Sequence, residues 1–120
     1  MIDPNVKAYK KFVVWQSAHT FAMSVYKMTK SFPQDELYGI TSQLRRSVLS
    51  VPTNIVEGTA RQGQKELEQF LNISLGSLAE AEYLLEVAKE LGYLKEDEYS
   101  KLDALRRRTG IPLWNFYKSL

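Results

Sequence analysis

The chain has 120 residues, a length typical of one domain, and 44% hydrophobic and 25% charged residues, a balance typical of soluble globular proteins. It contains no cysteine, which excludes a disulfide framework and a thiolate nucleophile. Residues 1–11 lack the apolar core of a signal peptide, and no apolar run approaches the about 20 residues that a membrane span needs. We therefore expect one cytoplasmic domain covering 1–120, with no membrane partner.

The first predicted helix runs roughly over residues 12–30. Its apolar residues recur at the three- and four-residue spacing of one helical face. Pro33 ends it, because the residue before a proline avoids helical backbone angles. The members of this apolar stripe are Val14, Ala18, Phe21, Ala22, Val25 and Met28.

The second predicted helix covers roughly 35–60. Acidic residues at its start suit the positive end of the helix dipole, and the glycines of "GTARQG" indicate its end. Pro52 lies inside it and predicts a bend, since proline removes one helical hydrogen bond while the apolar stripe continues in phase. That stripe consists of Leu37, Ile40, Leu44, Val48, Val51 and Ile55.

The third and fourth predicted helices cover roughly 65–91 and 96–120. Gly92 occupies the position that glycine favours after a helix end. In the fourth helix, Gly110 and Pro112 predict a kink or a short break.

No stretch alternates apolar and polar residues long enough to indicate a strand. Four amphipathic helices with short connections pack best as an antiparallel bundle. The predicted fold class is therefore all-α, an antiparallel up-down-up-down four-helix bundle that is kinked in helix 2 at Pro52 and in helix 4 at Pro112.

Charge is unevenly distributed along the chain. The net charge is +2, but residues 1–31 carry +4 and residues 62–92 carry −4. The acidic third helix either faces solvent or complements a basic neighbour, in the same chain or in another subunit. A net charge of +2 is by itself too small to indicate nucleic-acid binding.

The sequence offers little for metal or nucleophilic chemistry. His19 is the one histidine, and no Glu-x-x-His motif of a di-iron bundle is present. No Gly-x-Ser-x-Gly turn occurs, and "GTARQG" lacks the Lys-Ser/Thr of a phosphate-binding loop. We predict no catalytic residue, no metal site and no cofactor.

A strip of polar residues runs along one side of the second predicted helix. Arg46, Ser50, Thr53 and Glu57 step by four, three and four residues, which places them on one face. One interpretation is a cleft with a tuned carboxylate at Glu57. The favoured one is a structural polar network that fixes helix register or a subunit contact. Its members are Arg46, Asn54, Glu57 and Arg61.

Arginines and one tryptophan are the candidates for contacts with partners. Forked guanidinium groups bind phosphates well, although solvent exposure and ordinary ion pairing are the alternative. Trp15 lies outside the apolar stripe of its helix and is a candidate interface anchor, or packs on a neighbouring helix. The candidate nucleic-acid contacts are Arg45, Arg46, Arg106, Arg107 and Arg108.

Three long segments resemble the bacterial S23-like family, the four-helix proteins encoded in intervening sequences of 23S ribosomal RNA genes. The run from Gln43 through Gly58 is the most specific part. The matching segments are "VVWQSAHTFAMSVYKMTKSFP", "YGITSQLRRSVLSVPTNIVEGTAR" and "FLNISLGSLAEAEYLLEVAKELGYL".

The resemblance implies an antiparallel four-helix bundle that assembles as a homopentameric ring and has no established catalytic activity. A distant relative is the accessory variability protein of diversity-generating retroelements, whose basic pentamer binds nucleic acid. We therefore predict a non-catalytic, homo-oligomeric scaffold or adaptor of unknown biological role. The alternative is RNA or DNA binding by arginines clustered in the assembled ring, and another protein is a further partner to expect.

Overall fold

The computed structural model describes residues 7–120, which form four long helices and contain no strand. Short 3-10 turns precede α1, follow it, and precede α2. The predicted all-α class is confirmed. The helices are α1 (Val13–Met28), α2 (Ile40–Thr59), α3 (Gln64–Glu90) and α4 (Glu96–Lys118).

Each helix packs against two others, in the cyclic order α1, α2, α3, α4 and back to α1. Successive helices run antiparallel, so that α1 and α3 occupy one diagonal of the bundle and α2 and α4 the other. The predicted up-down-up-down four-helix bundle is confirmed.

The core follows the apolar stripes read from the sequence. Every predicted stripe residue of α1 except Met28 is buried, and the predicted stripe residues of α2 from Ile40 to Ile55 are buried as well. The other contributions come mainly from α3 and α4. They are Leu71, Leu78, Ala81, Leu84, Leu85, Ala88, Leu102 and Leu113.

Helix α2 begins at Ile40, five residues after the predicted start. The Glu36 carboxylate lies close to the backbone at Gly39, where an added Cβ would lie 2.5 Å from Glu36 Oε1. The Glu36 carboxylate accepts a hydrogen bond from the Ile40 amide (3.5 Å), and Tyr93 Oη donates to its other oxygen (2.7 Å). Leu37, predicted as the first stripe residue, is consequently exposed.

Pro52 lies inside the continuous helix α2, and Pro112 lies inside the continuous helix α4. The short break considered for the fourth helix does not occur, since α4 continues through Gly110 and Pro112. Gly110 instead permits α4 to approach α3, because a Cβ there would lie 3.3 Å from Leu78 Cδ2. The bends at Pro52 and Pro112 stay predictions.

Helix α3 ends as predicted. Gly92 adopts a φ of 81°, in the left-handed region that glycine tolerates without steric cost. The Tyr93 amide then donates to the Ala88 carbonyl (2.9 Å), which closes the helix end. This turn also delivers Tyr93 to Glu36.

Candidate functional site

Small polar side chains join α2 to α3 beside Pro52. Ser74 Oγ donates to the Val51 carbonyl (2.9 Å), and Ser77 Oγ donates to Ser50 Oγ (2.8 Å). Asn54 Nδ2 donates to both the carbonyl and the hydroxyl of Ser50, at 2.8 and 2.9 Å. This segment is therefore a structural link between two helices.

The predicted network of Arg46, Asn54, Glu57 and Arg61 does not form within residues 7–120. Glu57 and Arg46 are exposed, and neither makes an ion pair with any other described residue. Helix α2 ends at Thr59, so Arg61 is not one helical turn beyond Glu57. Its guanidinium group lies over the Phe70 ring instead, 5.0 Å from the centroid.

Arg45 is engaged by α1. Its Nε donates to Thr29 Oγ1 (2.9 Å), its Nη2 donates to the Tyr26 carbonyl (3.4 Å), and its guanidinium lies 5.2 Å from the Tyr26 ring centroid. These contacts fix the register of α1 against α2. They also occupy two of the five N–H donors of this half-buried arginine.

Arg106 is engaged in the same way between α3 and α4. Its side chain is 17% exposed, with Nη2 3.1 Å from Glu82 Oε2 and Nε 2.8 Å from Asp103 Oδ1. Arg107 is 3.7 Å from the second oxygen of Asp103, and its side chain is 64% exposed. Arg108 is exposed and lines a shallow groove between α1 and α4.

The five candidate arginines therefore do not converge within one chain. Those of α2 and those of α4 lie on helices at opposite ends of a diagonal. Arg46, Arg107 and Arg108 keep exposed guanidinium groups, whereas Arg45 and Arg106 hold helices together.

Trp15 is half-buried and sits between two aromatic rings. Its ring centroid lies 4.9 Å from that of Tyr9, edge-on, and 5.0 Å from that of His19, stacked. The 3-10 turn that carries Tyr9 contacts α2 as well as α1. Trp15 thus lies on the side of α1 that faces α2, and its role as an interface anchor stays a prediction.

Large apolar side chains are exposed on the outside of the bundle, and sequence reasoning did not single most of them out. Met23 on α1 is 37% exposed and Leu49 on α2 is 41% exposed. Tyr83 on α3 is 65% exposed, and Ile111 and Trp114 on α4 are 66% and 49% exposed. Two further exposed apolar residues on helices are Val13, the first residue of α1, and Ile73 on α3.

The outer side of α4 carries a mixed row of residues. Ala104, Arg107, Ile111, Trp114 and Lys118 step by three, four, three and four residues, which places them on one side of the helix, away from its buried stripe. Two of the five are basic, so the apolar part of this row is the pair Ile111 and Trp114 with Ala104.

Two tyrosines carry displaced pKa values. The hydrogen bond to Glu36, together with burial and the charges of Glu36 and Asp35, raises the pKa of Tyr93. Burial, with smaller effects from Asp103 and Glu86, raises the pKa of Tyr99. Both shifts favour the neutral phenol and do not create a nucleophile or a base at neutral pH.

Within the described residues, no three or more His, Cys, Asp or Glu side chains are arranged to hold a metal ion. In the same part of the chain, no helix is both long and apolar enough to cross a lipid bilayer.

Comparisons with known proteins agree with the fold. The chain resembles a crystal structure of a protein of unknown function from the S23 ribosomal protein family of Bacteroides thetaiotaomicron, with a TM-score of 0.82 and 24% identity. The similarity covers 88% of this chain and 96% of that one. No curated protein matches the sequence. The model of the family described as 23S rRNA-intervening sequence protein matches residues 10–110, so the chain belongs to that family.

Proposed function

We propose that this chain is a non-catalytic subunit that assembles with copies of itself and serves as a scaffold or adaptor for other macromolecules. The observation that carries the proposal is the exposure of Leu49, Tyr83, Ile111 and Trp114 on helix surfaces. Soluble monomers rarely expose contiguous apolar patches larger than about a few hundred Å², and larger patches mark interaction sites. The family resemblance implies five copies in a ring.

A non-catalytic role is consistent with the position of the one carboxylate that motivated an enzyme hypothesis. Glu57 is exposed and makes no ion pair among the described residues. It has neither the burial nor the charged neighbour that would tune a general acid or base. The enzyme hypothesis therefore loses the feature on which it rested.

Sedimentation equilibrium at micromolar concentration tests the proposal. We expect a mass five times that of one chain. A mass equal to one chain at these concentrations would overturn the assembly and the scaffold role that depends on it.

Nucleic-acid binding is the second candidate function. The exposed guanidinium groups of Arg46, Arg107 and Arg108 favour it, because a ring would repeat each of them in every subunit. The test is fluorescence anisotropy with a structured ribosomal RNA fragment over a range of salt concentrations. Binding that weakens with salt and is reduced in Arg107→Ala/Arg108→Ala supports this function, and the absence of binding at low salt rejects it.

A further inference from the structure

The surface between α1 and α4 carries two depressions in line with each other. One has a volume of about 190 Å³ and places Thr20 of α1 near Arg108 of α4. The other has a volume of about 260 Å³ and places Lys27 near Lys101. Because the two helices run antiparallel, residues later in α1 meet residues earlier in α4, and both depressions belong to one groove. We call it the α1/α4 groove, with rims formed by Ser17, Thr20, Ser24 and Lys27 on α1 and by Lys101 and Arg108 on α4.

Positive charge lines the α1/α4 groove. Lys27, Lys101 and Arg108 are exposed, and none of the three makes an ion pair among the described residues. Helix α1 contains no acidic residue, and residues 7–34 contain none either. The α1 side of the groove therefore supplies no carboxylate to these cations.

The four acidic residues of α4 do not neutralise the groove. Glu96 and Asp103 form ion pairs with basic residues of α3 and α4. Glu98 Oε1 accepts a hydrogen bond from the backbone amide that precedes the helix (2.8 Å). Asp97, in the same first turn, makes no ion pair among the described residues. An anionic partner for the groove therefore has to come from outside the described part of the chain.

Hydroxyl groups of α1 lie opposite the cations of α4. Other helical hydroxyls donate to a backbone carbonyl of the preceding turn, as those of Thr53 and Thr109 do at 2.8 and 3.1 Å. The hydroxyls of Ser17, Thr20 and Ser24 have no hydrogen-bond partner among the described residues. Each can therefore donate a hydrogen bond to a ligand in the groove or accept one from it.

The floor of the groove is apolar. Leu105 lines the first depression, and Met28 and Leu102 line the second. Among the described residues, no aromatic ring lines either depression. Grooves for single-stranded nucleic acid combine cations with aromatic rings on which bases stack. An apolar floor between polar and charged rims instead suits an amphipathic helix, which places its apolar side in the groove.

The dimensions of the groove also indicate an elongated ligand. Each depression is smaller than the about 300–1,000 Å³ of a pocket that encloses a drug-sized molecule. Lys101 and Arg108 are seven residues apart, which is about 10 Å along α4. A helix that lies along α4 presents residues seven apart on one side. Two carboxylates at that spacing can reach both cations, and the apolar side chains between them contact the floor.

Resting on the adaptor role proposed above, we infer that the α1/α4 groove binds an acidic amphipathic helix of another protein. The apolar side of that helix contacts Met28 and Leu105, and its carboxylates bind Lys101 and Arg108. The inference names the kind of partner that the adaptor binds. It does not depend on how many copies of the chain assemble.

A designed peptide tests the inference, because its sequence can be set to this chemistry. It has about 18 residues, enough to form a helix, with leucines at three- and four-residue spacing on one side and glutamates beside them. Fluorescence anisotropy with the full chain measures binding at low and at physiological salt. We expect saturable binding that weakens with salt. Two matched peptides, with lysine in place of glutamate or serine in place of leucine, should not bind.

A pair of double variants locates the binding site. Lys101→Ala/Arg108→Ala removes two cations of the groove, and Lys30→Ala/Lys65→Ala is the control with the same change in charge. Lys30 and Lys65 are exposed and line neither depression. We expect the groove variant to bind the acidic peptide about tenfold more weakly, because each exposed ion pair contributes a few-fold in affinity. The control should bind as the wild type does, and circular dichroism checks that both variants fold.

Four results would overturn the inference. The first is an assembled wild type that does not bind the acidic peptide at about 100 µM in low salt. The second is a groove variant that binds the peptide as tightly as the control does. The third is a groove variant with a different mass from the wild type, since the groove would then be a contact between copies.

The fourth result concerns a different occupant. A labelled single-stranded RNA is titrated in parallel, and RNA binding that the groove variant loses, without peptide binding, would assign the groove to nucleic acid. The matched peptides are tested on the wild-type chain, so they do not depend on the folding of any variant. A wild-type mass equal to one chain overturns the proposed function itself, whether or not the peptide binds.

Discussion

Alanine substitution at two helical glycines gives opposite expected effects on stability. A Cβ on Gly58 would lie 2.9 Å from Phe70 Cβ and 3.1 Å from Leu67 Cδ1 of α3. Phe70 Cβ is held by its own backbone and cannot swing away. A Cβ on Gly76 has no neighbour within 4 Å. Gly58→Ala and Gly76→Ala are therefore the same chemical change in crowded and in open surroundings.

The magnitudes follow from two opposing effects. Replacing a helical glycine by alanine stabilises the folded state by about 0.5–1 kcal/mol, because the chain then loses less conformational entropy when it folds. Overpacking a well-packed contact costs about 1–3 kcal/mol. We expect Gly76→Ala to raise the free energy of unfolding by about 0.5–1 kcal/mol. We expect Gly58→Ala to lower it by up to about 2 kcal/mol.

Urea denaturation followed by circular dichroism measures both variants, at one protein concentration because assembly contributes to apparent stability. The mass of each variant is checked at that concentration, since Gly76 is on the outer surface of α3. If Gly58→Ala raises the free energy of unfolding as much as Gly76→Ala does, then α2 and α3 do not pack closely at Gly58.

Two further predictions concern buried or bonded hydroxyl groups. Thr41 is buried, and its hydroxyl has no hydrogen-bond partner among the described residues. Thr41→Val should therefore raise the free energy of unfolding by about 1 kcal/mol. A lower free energy of unfolding in urea would mean that the hydroxyl has a partner. The raised pKa of Tyr93 favours the neutral phenol in the folded state. Its hydrogen bond to Glu36 should therefore stabilise the fold below pH about 10 and cease to do so as pH rises through the folded-state pKa. Tyr93→Phe should unfold at lower urea than the wild type at neutral pH, with a difference that shrinks in strong alkali; a difference that does not depend on pH would contradict this assignment.

The helices could be predicted from the sequence because the apolar residues that form the core recur with the period of a helix. The stripe of α1 from Val14 to Val25 is buried as its spacing indicates, and Gly92 ends α3 as expected. The predicted start of α2 was wrong because it was taken from local propensity alone. Local propensity does not reveal that the Glu36 side chain is held by Tyr93, a residue 57 positions later.

The site was less predictable because it depends on where helices end and on which side of a helix remains outside. Arg61 was assigned to the strip of Glu57 on the assumption that α2 continues, and the helix ends two residues earlier, at Thr59. Arg45 looked free in the sequence, but Tyr26 and Thr29 of another helix hold it. The exposed pair Ile111 and Trp114 on α4 was visible in the spacing and was overlooked because one stripe suffices for a core.

Sedimentation velocity of the wild-type chain, from about 1 to about 100 µM, tests the central claim most directly. A closed ring predicts one discrete species with five times the mass of a single chain and little dependence on concentration in this range. A single-chain mass throughout would contradict self-assembly, and a mass that keeps growing with concentration would contradict closure.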